Sequence, residues 1–143
     1  MEAKLNFVCP DCSAVNRVPV QRLSDSPVCA KCKTSLIPAH PVELTDQTFE
    51  KFISRSSLPV VVDFWAGWCG PCRSMAPQFE KAASQTSGRV VLAKLNTESN
   101  QAGNRFNITG IPCLIVFKSG KETARQAGAM NSGQIVQWIE SVT

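Results

Sequence analysis

Two cysteines separated only by Gly70-Pro71 stand where a strand-like run meets a helix-like run, in Trp68-Cys69-Gly70-Pro71-Cys72. The preceding stretch, Pro59-Val60-Val61-Val62-Asp63-Phe64-Trp65, is apolar and β-branched, and the following one can set Met75, Phe79, Ala82 and Ala83 on one helical face. In the first turn of a helix the backbone N–H groups lack partners and the macrodipole is positive, so a sulfur placed there is stabilised as a thiolate. The thiolate is the nucleophile of thiol–disulfide exchange. Cys69, ahead of the helix, is expected to be the more exposed, attacking sulfur. Cys72, about one turn on, is expected to be shielded and to displace the captured substrate. Pro71 suits the helix start, because it has no N–H to leave unpaired and its fixed φ is helical. A second zinc half-site at Cys69 and Cys72 would need another pair at suitable spacing, which the chain lacks.

Four more of the seven cysteines form the pattern C-x2-C-x16-C-x2-C: Cys9 with Cys12, and Cys29 with Cys32. Two such pairs in register match a four-thiolate zinc site, closed to water and therefore structural. A segment of this size cannot bury enough apolar surface to hold itself together, so a bound Zn²⁺ would supply what its core lacks. Two disulfides, or free thiols in a flexible tail, are the alternatives for these residues. His40, the only histidine, reads as a linker residue rather than a ligand.

The 143 residues suffice for one domain of ordinary size plus a small module, and the 43% hydrophobic content suffices for a true core. Pro38 and Pro41 bracket a joint, which divides the chain into a zinc-binding module over 1–38 and a larger domain over 39–143. The net charge of +4 is spread along the chain with no Lys/Arg cluster, which gives nucleic-acid binding little support. Four thiolates around Zn²⁺ carry two net negative charges, which would cancel the module's five bases against three acids. The N-terminus lacks the apolar run of an export signal, and Ile111–Phe117 is too short to span a bilayer. Cysteine-rich and without such a signal, the chain is expected in the reducing cytoplasm, away from membranes, with its thiols used for metal or catalysis.

From residue 42 onward strand and helix signals alternate. Strands are expected at Val42–Leu44, Leu58–Trp65, Val90–Leu95, Pro112–Phe117 and Glu122–Ala127, the last two joined by Ser119-Gly120-Lys121. Helices are expected from Thr45 or Asp46 through Ile53, from Cys69 to about Ser87, weakly near Gln101–Phe106, and after Asn131. Asn131 with Gln134 has capping-box spacing, and Ile135, Trp138, Ile139 and Val142 follow at i, i+3, i+4 and i+7. The fold class is therefore α/β: a mixed sheet with helices on both faces, preceded by the four-cysteine module.

Residues 40 to 143 resemble the thioredoxin family closely. The stretches that carry the resemblance are Val62 through Cys72, Ala76-Pro77, Ala93-Lys94-Leu95-Asn96, Gly110-Ile111-Pro112, Phe117-Lys118-Ser119-Gly120 and Gly128-Ala129. With the ribbon-like module in front, the whole chain is similar to the zinc-containing bacterial thioredoxin 2 subfamily. The resemblance implies a thioredoxin fold and reduction of protein disulfides. It also implies regeneration by an NADPH-dependent thioredoxin reductase, with no organic cofactor bound in the chain. It marks Asp63 as the buried carboxylate that takes the Cys72 proton, and Lys94 as its moderating neighbour. It implies that Ile111-Pro112 is a cis loop facing the cysteines. Trp68, Gly70, Pro71, Gly110, Ile111, Pro112 and Gly128 would then form the surface that receives substrate, with Trp65 packed beneath.

Two departures stand out. Cys113 follows the expected cis proline where threonine is common in the family; it reads as a small strand residue, or as a third thiol able to form an off-pathway disulfide. Thr97-Glu98-Ser99-Asn100 departs from the acid-and-proline pattern often found there, a change expected in surface recognition rather than chemistry. Rival functions are a zinc-regulated redox-sensing binding protein or chaperone, and net disulfide oxidation or isomerisation. The uncharged Gly70-Pro71 spacer disfavours the last of these.

Overall fold

A computed structural model describes residues 3–143. The valine-rich run Val60–Trp65 is strand β4, and its continuous apolarity has a simple cause: it lies in the middle of a sheet covered on both sides. The other strands of that sheet are β3 (Val42–Leu44), β5 (Val91–Asn96), β6 (Cys113–Lys118) and β7 (Lys121–Ala127). Their order is β3-β5-β4-β6-β7. β4 runs parallel to β5, with Asp63 opposite Lys94, and antiparallel to β6, with Phe64 opposite Cys113. β6 and β7 form the expected hairpin through Ser119-Gly120, whose φ values of 52° and 81° are those of a tight two-residue turn.

Alternation along β4 sorts its side chains. Val60, Val62 and Phe64 join Phe49, Phe52 and Ile53 of helix α1 (Phe49–Arg55) in one core. Val61 joins Met75 and Phe79 of α2 (Gly70–Thr86) and Ile135 and Ile139 of α3 (Ser132–Val142) in the other. Asp63 follows Val61 by two residues and so stands on the α2 face, at the end of the strand that leads into the cysteine pair.

The N-terminal segment has more regular structure than its weak periodicity suggests. β1 (Lys4–Val8) pairs antiparallel with β2 (Val15–Pro19), and a 3₁₀ helix follows over Val20–Asp25. The turn between the strands is built around Cys9 and Cys12, and hydrophobic alternation contributes little. The hairpin is docked on the larger domain: Ser57 Oγ accepts from Asn6 N at 2.7 Å and Ser57 N donates to Asn6 O at 3.0 Å. Val8 and Val15 pack into the α1-side core, and Leu58 packs against the ribbon's own cluster of Phe7, Cys9, Val18, Cys29 and Leu36.

Two local expectations change. Helix α1 starts after Thr48, whose hydroxyl accepts from Thr45 N at 2.9 Å rather than capping the helix. Asp46 is recruited elsewhere: its carboxylate accepts from the N–H groups of Gln101 and Ala102, at 2.9 and 2.7 Å, at the start of the segment Ala102–Phe106. That segment is a 3₁₀ helix, shorter and tighter than the weak helix expected there.

The capping box at α3 is complete, with Asn131 Oδ1 accepting from Gln134 N at 2.9 Å and Gln134 Oε1 from Asn131 N at 3.0 Å. Asn131→Ala should therefore lower stability by about 1 kcal/mol in urea unfolding. An unchanged midpoint would show that α3 is held by Ile135 and Ile139 alone.

Candidate functional site

Cys69 is the N-cap of α2 and has extended backbone, so the chain leaves β4, turns, and enters the helix with this sulfur at its mouth. Cys72 N donates to Cys69 Sγ at 3.2 Å, which satisfies one of the orphan donors of the first turn. The two sulfurs are joined in a disulfide, with their Cα atoms 5.2 Å apart. In this oxidised form Cys69 is only slightly more exposed than Cys72, at 4% against 2%. The expected contrast is small because the partner sulfur and Ile111 O, 3.7 Å away, both cover Cys69 Sγ. The difference lies in direction: Cys69 lines an open groove and Cys72 does not.

That groove, of about 850 Å³, is lined by Trp68, Gly70, Pro71, Gly110 and Ile111, and also by Thr97, Asn104 and Asn107. Trp68 is 69% exposed, an unusual position for a side chain of its size and one that offers apolar area to a partner. The Ile111–Pro112 peptide is cis. Pro112 and Gly128 do not line the groove; Gly128, at φ 101°, donates its N–H to Pro112 O at 2.9 Å and so props the loop from behind.

Asp63 is 1% exposed, and its Oδ1 has no hydrogen-bond partner. Burial pushes its pKa from 3.8 up to about 7; the positive charge of Lys94 opposes this and Glu43 adds to it. Lys94 faces Asp63 across the β4–β5 register, but no ion pair between them occurs among the described residues. Its Nζ sits 4.5 Å from the centroid of the Trp65 ring, a cation–π contact that holds the charge near the carboxyl without neutralising it. A carboxyl held near pH 7 with a free oxygen is suited to accept and return a proton.

Cys113 belongs to the α1-side core, with Phe64 and Ile115, on the opposite face of the sheet from Asp63. Burial raises its pKa. Cys69 and Cys72 instead cluster with Ala66, Trp65 and Ile111. The geometry agrees with the small-strand-residue expectation for Cys113.

In the N-terminal module the sulfurs of Cys9, Cys12, Cys29 and Cys32 all lie within 4.8 Å of one another. Cys9 and Cys32 are 3.4 Å apart, and Cys12 and Cys29 3.6 Å. Tetrahedral zinc with Zn–S bonds of about 2.3 Å separates its sulfurs by about 3.8 Å, so the donor set fits the ion. Each pair sits in the same turn. Cys9 N donates to Ala14 O and Ser13 N to Cys9 O, while Cys29 N donates to Thr34 O and Lys33 N to Cys29 O. Ser13 and Lys33 close the two turns at φ 65° and 69°. Backbone N–H groups of Asp11 and Lys31 point at Cys9 and Cys29 Sγ, each at 3.4 Å. Burial pushes the Cys9 thiol up, while the Cys32 N–H and the Asn16 amide hold Cys29 below its ordinary value. His40 bonds to Pro41 O and is outside the sulfur cluster.

Some residues at the site were not singled out by spacing. Asn104 and Asn107 reach the groove from the 3₁₀ segment because Gly103 lets that segment lie on Phe64, where an added Cβ would stand 3.0 Å from the ring. Asn16 stitches the two halves of the ribbon, donating to Cys29 Sγ and accepting from Ala30 N at 3.0 Å. Glu98, expected to affect only surface recognition, bonds the backbone two residues before Cys69. A glycine or asparagine in a loop gave no signal strong enough to name them.

Sequence models of two families match the chain: Thioredoxin over residues 40–141, and Thioredoxin 2, N-terminal, a zinc ribbon, over residues 8–34. Thioredoxin C-3 of Corynebacterium nephridii is 44% identical over 135 residues, covering 94% of this chain and 92% of its own. A thioredoxin of Rhodospirillum rubrum is 37% identical, covering 69% of this chain and 96% of its own. The chloroplastic M-type thioredoxin of Chlamydomonas reinhardtii is 38% identical over 86% of this chain and 91% of its own. With a dithiol at a helix mouth, a buried carboxyl on the same face and four clustered sulfurs ahead of them, this chain belongs to the thioredoxin family and carries an N-terminal zinc ribbon.

Proposed function

We propose that this thioredoxin-type disulfide oxidoreductase reduces disulfide bonds in proteins, with Cys69 attacking and Cys72 resolving. The observation that carries this is the position of Cys69 Sγ: at the helix N-cap, accepting the Cys72 N–H, in the wall of an uncharged groove. The Cys69 thiolate attacks one sulfur of the substrate disulfide. The substrate S–S bond breaks, a mixed disulfide forms, and the second substrate sulfur leaves as a thiolate and takes up a proton. Cys72 then gives its proton to Asp63 and attacks Cys69 Sγ. The Cys69–Cys72 bond closes and the first substrate sulfur departs. The substrate gains two electrons and two protons, and the chain's dithiol loses them. An NADPH-dependent thioredoxin reductase restores the dithiol. Lys94 keeps Asp63 from rising so far that it could not ionise. Trp68, Gly70, Pro71, Gly110 and Ile111 receive an extended substrate segment, with Pro112 and Gly128 shaping the loop behind them.

In this proposal residues 1–38 form the zinc module and 39–143 the catalytic domain. The module binds one Zn²⁺ through Cys9, Cys12, Cys29 and Cys32, which leaves no open coordination position and confines the ion to a structural part. Five cysteines outside any disulfide suit a reducing compartment, and we assign the chain to the cytoplasm. No helix among the described residues is long and apolar enough to cross a membrane. A zinc-regulated binding role is the second possibility, supported by the docking of the ribbon through Asn6 and Ser57 onto the segment before β4.

Cys69→Ser should abolish insulin reduction, and Cys72→Ser should trap covalent adducts with substrate proteins; turnover persisting in the Cys69 variant would refute the assignment. Asp63 gives a pH signature. Its folded pKa lies above the unfolded one, so the folded state binds more protons in between, and stability falls as pH rises from about 4 to about 7. Asp63→Asn should gain on the wild type by about 4 kcal/mol at pH 8 and by nearly nothing at pH 4, while slowing resolution of the mixed disulfide. A pH-independent difference in urea unfolding would count against this role. For the ribbon, elemental analysis should find one zinc per chain. Chelation should strip hydrogen-exchange protection from β1 and β2 and leave β4 and β5 protected. Protection that survives chelation would mean the hairpin stands without metal.

A further inference from the structure

Gly67 lies two residues before the attacking sulfur, in the link between β4 and α2, and both of its backbone polar groups are held by charged side chains. Gly67 N donates to Glu98 Oε1 at 2.6 Å, and Arg73 donates to Gly67 O at 2.8 Å. These two charges come from different elements. Glu98 follows β5, where the neighbouring Thr97 donates to Trp65 O through both its N–H, at 2.8 Å, and its hydroxyl, at 3.0 Å. Glu98 is itself fixed by its N–H, which donates to Asn96 Oδ1 at 2.9 Å. Arg73 stands near the start of α2, where a cation is unfavourable toward the helix dipole, and its N–H donates to Cys69 O at 3.1 Å.

The residue gripped is the one most in need of it. Glycine has the widest backbone freedom and loses the most entropy when ordered, and here it precedes a nucleophile whose direction decides the reaction. A Cβ at position 67 would lie 3.1 Å from Glu98 Oε1, so a larger residue here would require the carboxylate to yield by a few tenths of an ångström.

Resting on the disulfide-reductase function proposed above, we propose that Glu98 and Arg73 are positioning residues for the exchange reaction. They clamp the N–H and C=O of Gly67 and hold Trp68-Cys69 in the conformation from which Cys69 attacks.

The test uses the full chain reducing insulin, with dithiothreitol as electron source, beside the pH dependence of Cys69 alkylation. Glu98→Ala and Arg73→Ala should each lower the rate by about tenfold, the scale of one lost charge-assisted hydrogen bond. Glu98→Gln keeps an oxygen acceptor and should stay within about twofold of wild type. A purely electrostatic influence on the thiolate would instead drive Glu98→Ala and Arg73→Ala in opposite directions, in rate and in alkylation pKa. The clamp is overturned by that opposition, by a wild-type rate in Glu98→Ala, or by Glu98→Gln falling as far as Glu98→Ala. A wild-type chain unable to reduce insulin would instead overturn the reductase function itself.

Discussion

The contact between the Cys72 N–H and Cys69 Sγ sets the requirements that the surrounding structure meets. A sulfur uses the orphan donors of a helix when the chain brings it to the N-cap, and here the chain leaves a strand, turns and starts the helix at once. β4 supplies the arrival. It is a central strand with partners on both sides, so its end is held against lateral movement. α2 supplies the donors, and it is fixed by Met75, Phe79, Ala82 and Ala83 against the sheet. Apolar packing on two faces thus positions one polar contact at the edge of the molecule.

The same strand sorts the groups near the site. Because side chains alternate, Asp63 falls on the face beneath α2 while Phe64 and its cross-strand partner Cys113 fall on the other. An acid set between Val62 and Phe64 in a central strand is costly to bury ionised, and its raised pKa is the direct result. The charge of Lys94, drawn onto the Trp65 ring, is near enough to temper that shift and too far to cancel it. A slip of β4 by one residue would carry Asp63 to the α1 face, away from the cysteine pair.

The N-terminal module solves a different problem. Its apolar cluster holds only a handful of buried residues, too few for independent stability, and its four sulfurs converge through two copies of one backbone turn. Docking through Asn6 and Ser57, with Val8 and Val15 entering the larger core, ties the ribbon to a domain that is stabilised by burial.

Local pattern alone was enough for several features. The valine run, the helical spacing after Cys72, the Asn131–Gln134 box and the twin cysteine pairs are encoded within short windows. Periodicity, capping and ligand spacing act over one or two turns of chain. Six cysteines could be sorted into two chemistries on that basis, and Asp63 stood out as an acid among valines. Other features depend on segments distant in sequence. Thr48 displaced Asp46 as the residue before α1 because Asp46 found the N–H groups of Gln101 and Ala102 across the fold. The face assigned to Cys113, the asparagines of the groove and the grip of Glu98 on Gly67 arise the same way. Each is a contact between residues whose proximity is created by sheet order and register, and no local window contains both partners.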